Sequence, residues 1–136
     1  AAFMLGACGV QLGTRFLTAV ECNVHENYKQ RVLNAKDIDT IVTGKRLGHP
    51  VRTLKSPFSK SLAQREYDST VTNEELEQMG AGTLRMAAKE GDLEKGSFMC
   101  GQIAGLIKER LTCAEIVKNI TEEAENIMKG ATQWVK

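Results

Sequence analysis

Residues Gly9-Val10-Gln11-Leu12-Gly13-Thr14-Arg15-Phe16 constrain the fold of this 136-residue chain more than any other stretch. Val10 and Leu12 flank Gln11, the spacing of a short strand with one face on a core. Gly13 ends that run, and a residue without Cβ lets the backbone come close to a ligand. Thr14 can cap a helix starting near Arg15, and its hydroxyl can also donate. The first turn of such a helix carries free N–H groups and the positive end of the dipole, which together suit an anion. Spacing alone leaves two readings open: a tight strand-to-helix turn with no ligand, or a phosphate cradle.

A strand feeding a helix indicates an α/β fold. In (β/α)8 barrels phosphates often sit at such turns, after strands seven and eight. The opening Ala1-Ala2-Phe3-Met4-Leu5-Gly6-Ala7 reads as the last turns of a helix. The strand expected at residues 9–13 has no evident partner nearby, and a lone strand leaves its backbone polar groups unsatisfied. The expectation is therefore a C-terminal piece of a larger α/β protein.

Composition narrows the function classes. A net charge of +1 gives no global attraction to nucleic acid or membrane. No apolar run approaches the roughly 20 residues of a membrane span. Cys8, Cys22, Cys100 and Cys113 form no C-x-x-C pair, and only His25 and His49 could join them, which is not a zinc pattern. The apolar neighbours of Cys8, Cys100 and Cys113 favour packed, reduced thiols and a cytoplasmic location. Charge is uneven along the chain. Lys45, Arg46, Arg52, Lys55, Lys60 and Arg65 occur with no acidic residue among them, and an acidic stretch follows from Glu66 to Glu94. The basic run either faces an acidic partner or phosphate-bearing cosubstrate, or is solvated surface balancing its acidic neighbour.

Several helix signals follow. A short helix is expected over 15–22. Asn23 can cap a helix over 24–35 with Val24, Tyr28 and Val32 on one face. Residues 38–43 are β-rich, and Gly44, Gly48 and Pro50 make 44–57 an excursion or loop. Pro57 can open a helix through the 60s. Thr72 with Glu75 and Thr112 with Glu115 have capping-box spacing. Gly80 and Gly82 weaken the first of these two helices, and Gly91 closes it. The small residues Gly101, Ala104 and Gly105 suit either close helix packing or a flat ligand. Ile116, Ile120, Ala124 and Ile127 form a stripe expected to be core, with Gly130 ending that last helix.

The segment from Gly9 to Phe16 resembles the eighth strand of the nitronate monooxygenase and 2-nitropropane dioxygenase flavoproteins. Within that superfamily the chain is most similar to flavin-dependent enoyl-acyl-carrier-protein reductase II. The supporting segments are Asn27-Tyr28-Lys29, Asp37-Ile38-Asp39-Thr40, Gly48-His49 with Val51-Arg52, Glu77-Gln78-Met79-Gly80-Ala81-Gly82, and Gly101-Gln102-Ile103-Ala104-Gly105-Leu106. They occur in family order across nearly the whole chain. The resemblance implies the C-terminal portion of a (β/α)8 TIM barrel, with its last strand and helices and a mostly helical lid-like region. It divides the chain into the end of the barrel (1–36), the lid-like excursion (37–95) and C-terminal helices (96–136).

The same resemblance implies FMN as cofactor, NADH as cosubstrate, and Gln11, Leu12, Gly13 and Thr14 as cofactor-binding residues. Gly13 and Thr14 would hold the FMN phosphate through N–H groups and a hydroxyl, and Gln11 would face the flavin. The family's catalytic histidine belongs to earlier barrel strands. His25 and His49 lie outside its motif, so no catalytic residue is assigned. At Cys8 relatives often carry an acidic or small polar residue. The implied substrate is acyl-carrier-protein-linked or a small molecule, and a homodimer is compatible with the family. Three functions follow for testing: NADH-dependent reduction of 2-enoyl-acyl-carrier-protein in fatty acid biosynthesis, oxygen-dependent oxidation of alkyl nitronates, and a non-catalytic helical fragment that associates through apolar faces left uncovered at residues 1–16.

Overall fold

The computed structural model describes residues 1–131 and 133. A single 3-10 turn at Phe3–Leu5 ends at Gly6. There follow α1 (Thr14–Leu17), α2 (Glu26–Leu33), β1 (Thr40–Thr43), β2 (Val51–Leu54), α3 (Pro57–Arg65), α4 (Asn73–Gly80), α5 (Thr83–Arg85), a π turn at Met86–Glu90, a 3-10 turn at Gln102–Leu106 and α6 (Cys113–Ala131). The class is α/β with few strands, as expected for part of a barrel.

Residues 9–13 form no strand. The physical reason is the one that the sequence raises: among the described residues the only sheet is the antiparallel pair β1–β2, so this segment has no neighbour to bond. The preceding turn is likewise a brief 3-10 turn, and Phe3, Met4, Leu5, Val10 and Leu12 are all exposed, as foreseen for residues 1–16.

The segment 44–57 is also more regular than its glycines and proline suggest. It contains β2, paired with β1 from Thr40 opposite Leu54 to Thr43 opposite Val51. Gly44 sits in the connecting turn with φ +77, and a Cβ there would lie 2.4 Å from the His49 carbonyl oxygen. The buried Glu66 carboxylate accepts a hydrogen bond from the Gly44 amide and anchors the turn to the end of α3. Residues 98–100 then lie along β2: Leu54 N–H donates to Phe98 O at 2.8 Å, and Cys100 N–H to Arg52 O at 3.1 Å.

This arrangement builds the main core. Tyr28 and Val32, one turn apart on α2, pack with Leu54, Ala87, Phe98, Cys100, Ala104 and Ile107. The Tyr28 and Phe98 rings meet edge-on, with centroids 5.0 Å apart. The Tyr28 hydroxyl donates to Met99 O at 2.6 Å, which satisfies its polar tip. A smaller cluster of Leu62, Val71 and Leu76 joins α3 to α4.

The caps differ in part from expectation. His25 caps α2, accepting from Asn27 N–H at 3.1 Å, so Asn23 is not the cap. Ser56 caps α3 in a reciprocal box with Ser59, and Pro57 follows at the first helical position. The Thr72–Glu75 and Thr112–Glu115 boxes both form. The Gly80–Gly82 break divides α4 from α5, and Gly91 closes the π turn with φ +66.

α6 departs most from its pattern. Only Ile116 of its apolar stripe is buried; Ile120 and Ala124 are half-buried and Ile127 is 64% exposed. α6 is tied to the fold at its start, where the Glu21 carboxylate accepts from Cys113 N–H and Val20 N–H donates to Leu111 O. Its later turns run past the core and leave an apolar groove of about 230 Å³ beside Phe3 and Met4. The helix also continues through Gly130 to Ala131.

Candidate cofactor site

The turn from Gly9 to Thr14 is held by its far end. α1 begins at Thr14, with Gly13 as its N-cap, so Thr14 is the first helical residue and not the cap. The Thr14 hydroxyl oxygen accepts from Gly101 N–H at 2.9 Å. That bond joins the turn to the Gly101–Leu106 segment and leaves the hydroxyl hydrogen available to a ligand. Gly101 comes close enough that a Cβ there would be 3.6 Å from Thr14 Oγ1.

Gln11, Leu12 and Gly13 are all exposed. Gly13 has an ordinary φ of −111, and a Cβ added to it would meet nothing within 4 Å. The chain itself therefore does not require glycine at this position, whereas a closely approaching ligand would. Of the leading amides of α1, Phe16 N–H is taken by Gly13 O at 3.0 Å, and those of Thr14 and Arg15 have no intrahelical acceptor. Open space above a glycine, free amides and an available hydroxyl together fit a phosphate group.

Arg15 is used within the fold. Its Nη1 donates to Thr18 Oγ1 at 2.9 Å and to Glu109 O at 3.2 Å, so it ties α1 to the segment before α6. Beside it lies a cleft of about 590 Å³ walled by Leu12, Ile103, Leu106, Ile107 and Ile120. Ile120 faces this cleft, although its spacing in the chain marks only an apolar stripe. The Gly101–Leu106 segment forms a 3-10 turn rather than an α-helix. Close packing explains its small residues: a Cβ on Gly105 would lie 2.7 Å from Asp37 N.

Two members of the basic run are also structural. Arg46 donates to Asp68 O at 2.9 Å and Val71 O at 2.6 Å, and Arg52 to Thr40 Oγ1 at 3.0 Å. Among the described residues, none of the ion pairs joins this run to the acidic stretch that follows it.

The cysteines divide by environment. Cys100 is buried, and desolvation pushes its thiol pKa up to about 11. Cys113 is half-buried and its pKa is also raised, first by desolvation and then by its hydrogen bond to Glu21. Cys8, expected to pack, is exposed. A maleimide titration at pH 8 is expected to label Cys8 first and Cys100 last. At that pH a thiol with pKa near 11 is thiolate in only about one molecule in a thousand. Prompt labelling of Cys100 would mean that the β2–Phe98 region opens readily.

The nitronate monooxygenase family model matches residues 1–123, and the chain belongs to this family. A Staphylococcus saprophyticus protein named "Probable nitronate monooxygenase" is 30% identical over 129 residues, covering 94% of this chain and 36% of that protein. The structure of FabK from Thermotoga maritima superposes with a TM-score of 0.92 at 42% identity, covering 98% of this chain and 42% of FabK. Nitroalkane oxidase from Streptomyces ansochromogenes shares the fold, with a TM-score of 0.73 at 21% identity over 94% of this chain and 36% of that one. The chain thus spans about two fifths or less of the length of these relatives. No helix among the described residues is long and apolar enough to cross a membrane.

Proposed function

We propose that this chain supplies one edge of the FMN site of a cytoplasmic oxidoreductase that passes hydride from NADH to a 2-enoyl thioester carried on acyl carrier protein. The observation that carries this reading is the 42% identity to FabK across 98% of the chain, together with the sequence resemblance to enoyl-acyl-carrier-protein reductase II. FMN would supply the hydride chemistry, and the protein's part is to bind, orient and shield it. Gly13 and Thr14 would hold the phosphate, through the amides at the start of α1 and the Thr14 hydroxyl. Gln11 would contact the flavin. Leu12 and the Ile103–Ile120 wall would exclude water on that side.

A second reading is favoured by the names of the curated relatives: an FMN- and oxygen-dependent nitronate monooxygenase. The two share a scaffold, so the site and not the fold must decide. The test uses the complete gene product. A yellow protein whose NADH oxidation depends on crotonyl thioester is the expected result. Oxygen uptake driven by alkyl nitronate, with no response to enoyl thioester, establishes the second reading instead. A colourless preparation that takes up no FMN removes both.

A further inference from the structure

A polar cleft of about 450 Å³ lies between α2 and the chain leading from β2 into α3, and it shares no lining residue with the 11–14 turn. Arg31, Lys55 and Lys60 bring three cations to it, against one lining carboxylate, Asp39. None of these three cations takes part in the ion pairs found among the described residues.

Arg31 is fixed in place. Its guanidinium carbon stands 5.0 Å from the centre of the buried Phe98 ring, and its Nη2 donates to the Lys55 carbonyl. Desolvation lowers its pKa and Asp39 raises it, but a guanidinium keeps its charge at any physiological pH. Three of the other polar lining residues hold hydrogen bonds within the fold. Asn27 Nδ2 donates to Gly91 O at 2.8 Å, Gln30 Nε2 to Glu26 at 2.9 Å, and Asp39 Oδ2 accepts from Lys36 N–H at 2.9 Å.

We propose that this cleft binds the phosphate of a small phosphate-bearing molecule, through the Arg31 fork and the Lys55 and Lys60 ammoniums. Charge and geometry both support this. Three cations less one carboxylate leave a surplus matched to a dianion, and a preoriented guanidinium binds phosphate oxygens bidentately. Among the described residues no aromatic side chain lines the cleft, so they offer no stacking platform for a nucleobase. It therefore reads the phosphate and not a base. The site is separate from the FMN reading above and does not depend on it.

The test is calorimetric titration of the complete protein with pyrophosphate, ADP and adenosine. Pyrophosphate and ADP are expected to saturate with similar dissociation constants, and adenosine is not expected to bind. Lys55→Glu with Lys60→Glu, both at exposed positions, should weaken pyrophosphate binding by about tenfold or more. Arg31→Lys should weaken it too, and the lysine pair keeps the test valid if that variant folds poorly. Gly13→Asp, which sets a carboxylate at the other anion-binding turn without breaking a contact there, is the control and should leave pyrophosphate binding in the cleft unchanged. The proposal is overturned by any of four results: no saturable binding at millimolar pyrophosphate, resistance to the paired charge reversal, loss confined to Gly13→Asp, or adenosine binding as well as ADP.

Discussion

Gly91→Ala is expected to destabilise the fold by about 3 kcal/mol, through left-handed backbone strain and overpacking at one position. Gly91 has φ +66, and a Cβ there would lie 2.0 Å from His25 Nδ1 and 2.4 Å from its Cε1. The imidazole cannot simply swing aside. The His25 backbone N–H donates to Ala88 O at 2.8 Å, and the ring Nδ1 accepts from Asn27 N–H at 3.1 Å as the cap of α2. Asn27 in turn donates to Gly91 O at 2.8 Å, so the three residues form one lock. α2 carries Tyr28 and Val32 into the core, so strain at its cap reaches the packing around Phe98.

Urea unfolding of Gly91→Ala, His25→Ala and the double variant measures this. Removing the ring costs a cap of about 1 kcal/mol but also removes the overlap. The double variant should therefore be more stable than the sum of the singles predicts, by about 1–2 kcal/mol. A Gly91→Ala protein within about 0.5 kcal/mol of wild type would show that His25 does not pack against this glycine.

Much of this fold is legible where the signal is local. The Thr72–Glu75 and Thr112–Glu115 boxes need only a three-residue spacing, and both form. The face of Tyr28 and Val32 follows from one helical turn. The cap of α2 is easily misplaced because Asn23 is a common capping type, while His25 caps through a ring nitrogen, its imidazole packed beside Gly91. β2 is hidden because Gly44, Gly48 and Pro50 resemble loop breakers. They in fact build the hairpin turn, with Gly44 closely opposed to the His49 carbonyl.

The stripe on α6 shows a different limit. Amphipathic spacing reveals that a helix has an apolar face but not what covers it, and here Ile127 faces outward. At the candidate site, the Gly13–Thr14 turn is visible as a motif. Its hydrogen bond to Gly101 spans 87 residues, and no local pattern encodes such a contact. The role of Arg15 is hidden for the same reason: one of its partners, the Glu109 carbonyl, is 94 residues away.

Substitution at Gly13 separates fold from ligand unusually well. Its φ is ordinary and no described residue lies within 4 Å of an added Cβ, so Gly13→Ala should leave the unfolding free energy within about 0.5 kcal/mol of wild type. If the FMN phosphate sits against this backbone, the added methyl must still weaken flavin binding. Gly13→Asp should do more, because it places a carboxylate beside the phosphate. Repulsion between like charges about 4 Å apart is roughly 1–4 kcal/mol between bulk-water and near-surface conditions, or about five- to a thousandfold in FMN affinity. Thr14→Val is a less clean probe, since it also strips Gly101 N–H of its acceptor. Thr14→Ser keeps that oxygen and should retain both stability and flavin. The readouts are FMN fluorescence titration and urea unfolding of the complete protein, run on the same variants. A Gly13→Asp protein that folds normally and binds FMN as tightly as wild type would move the phosphate away from α1. The amides there would then be only the start of a short helix.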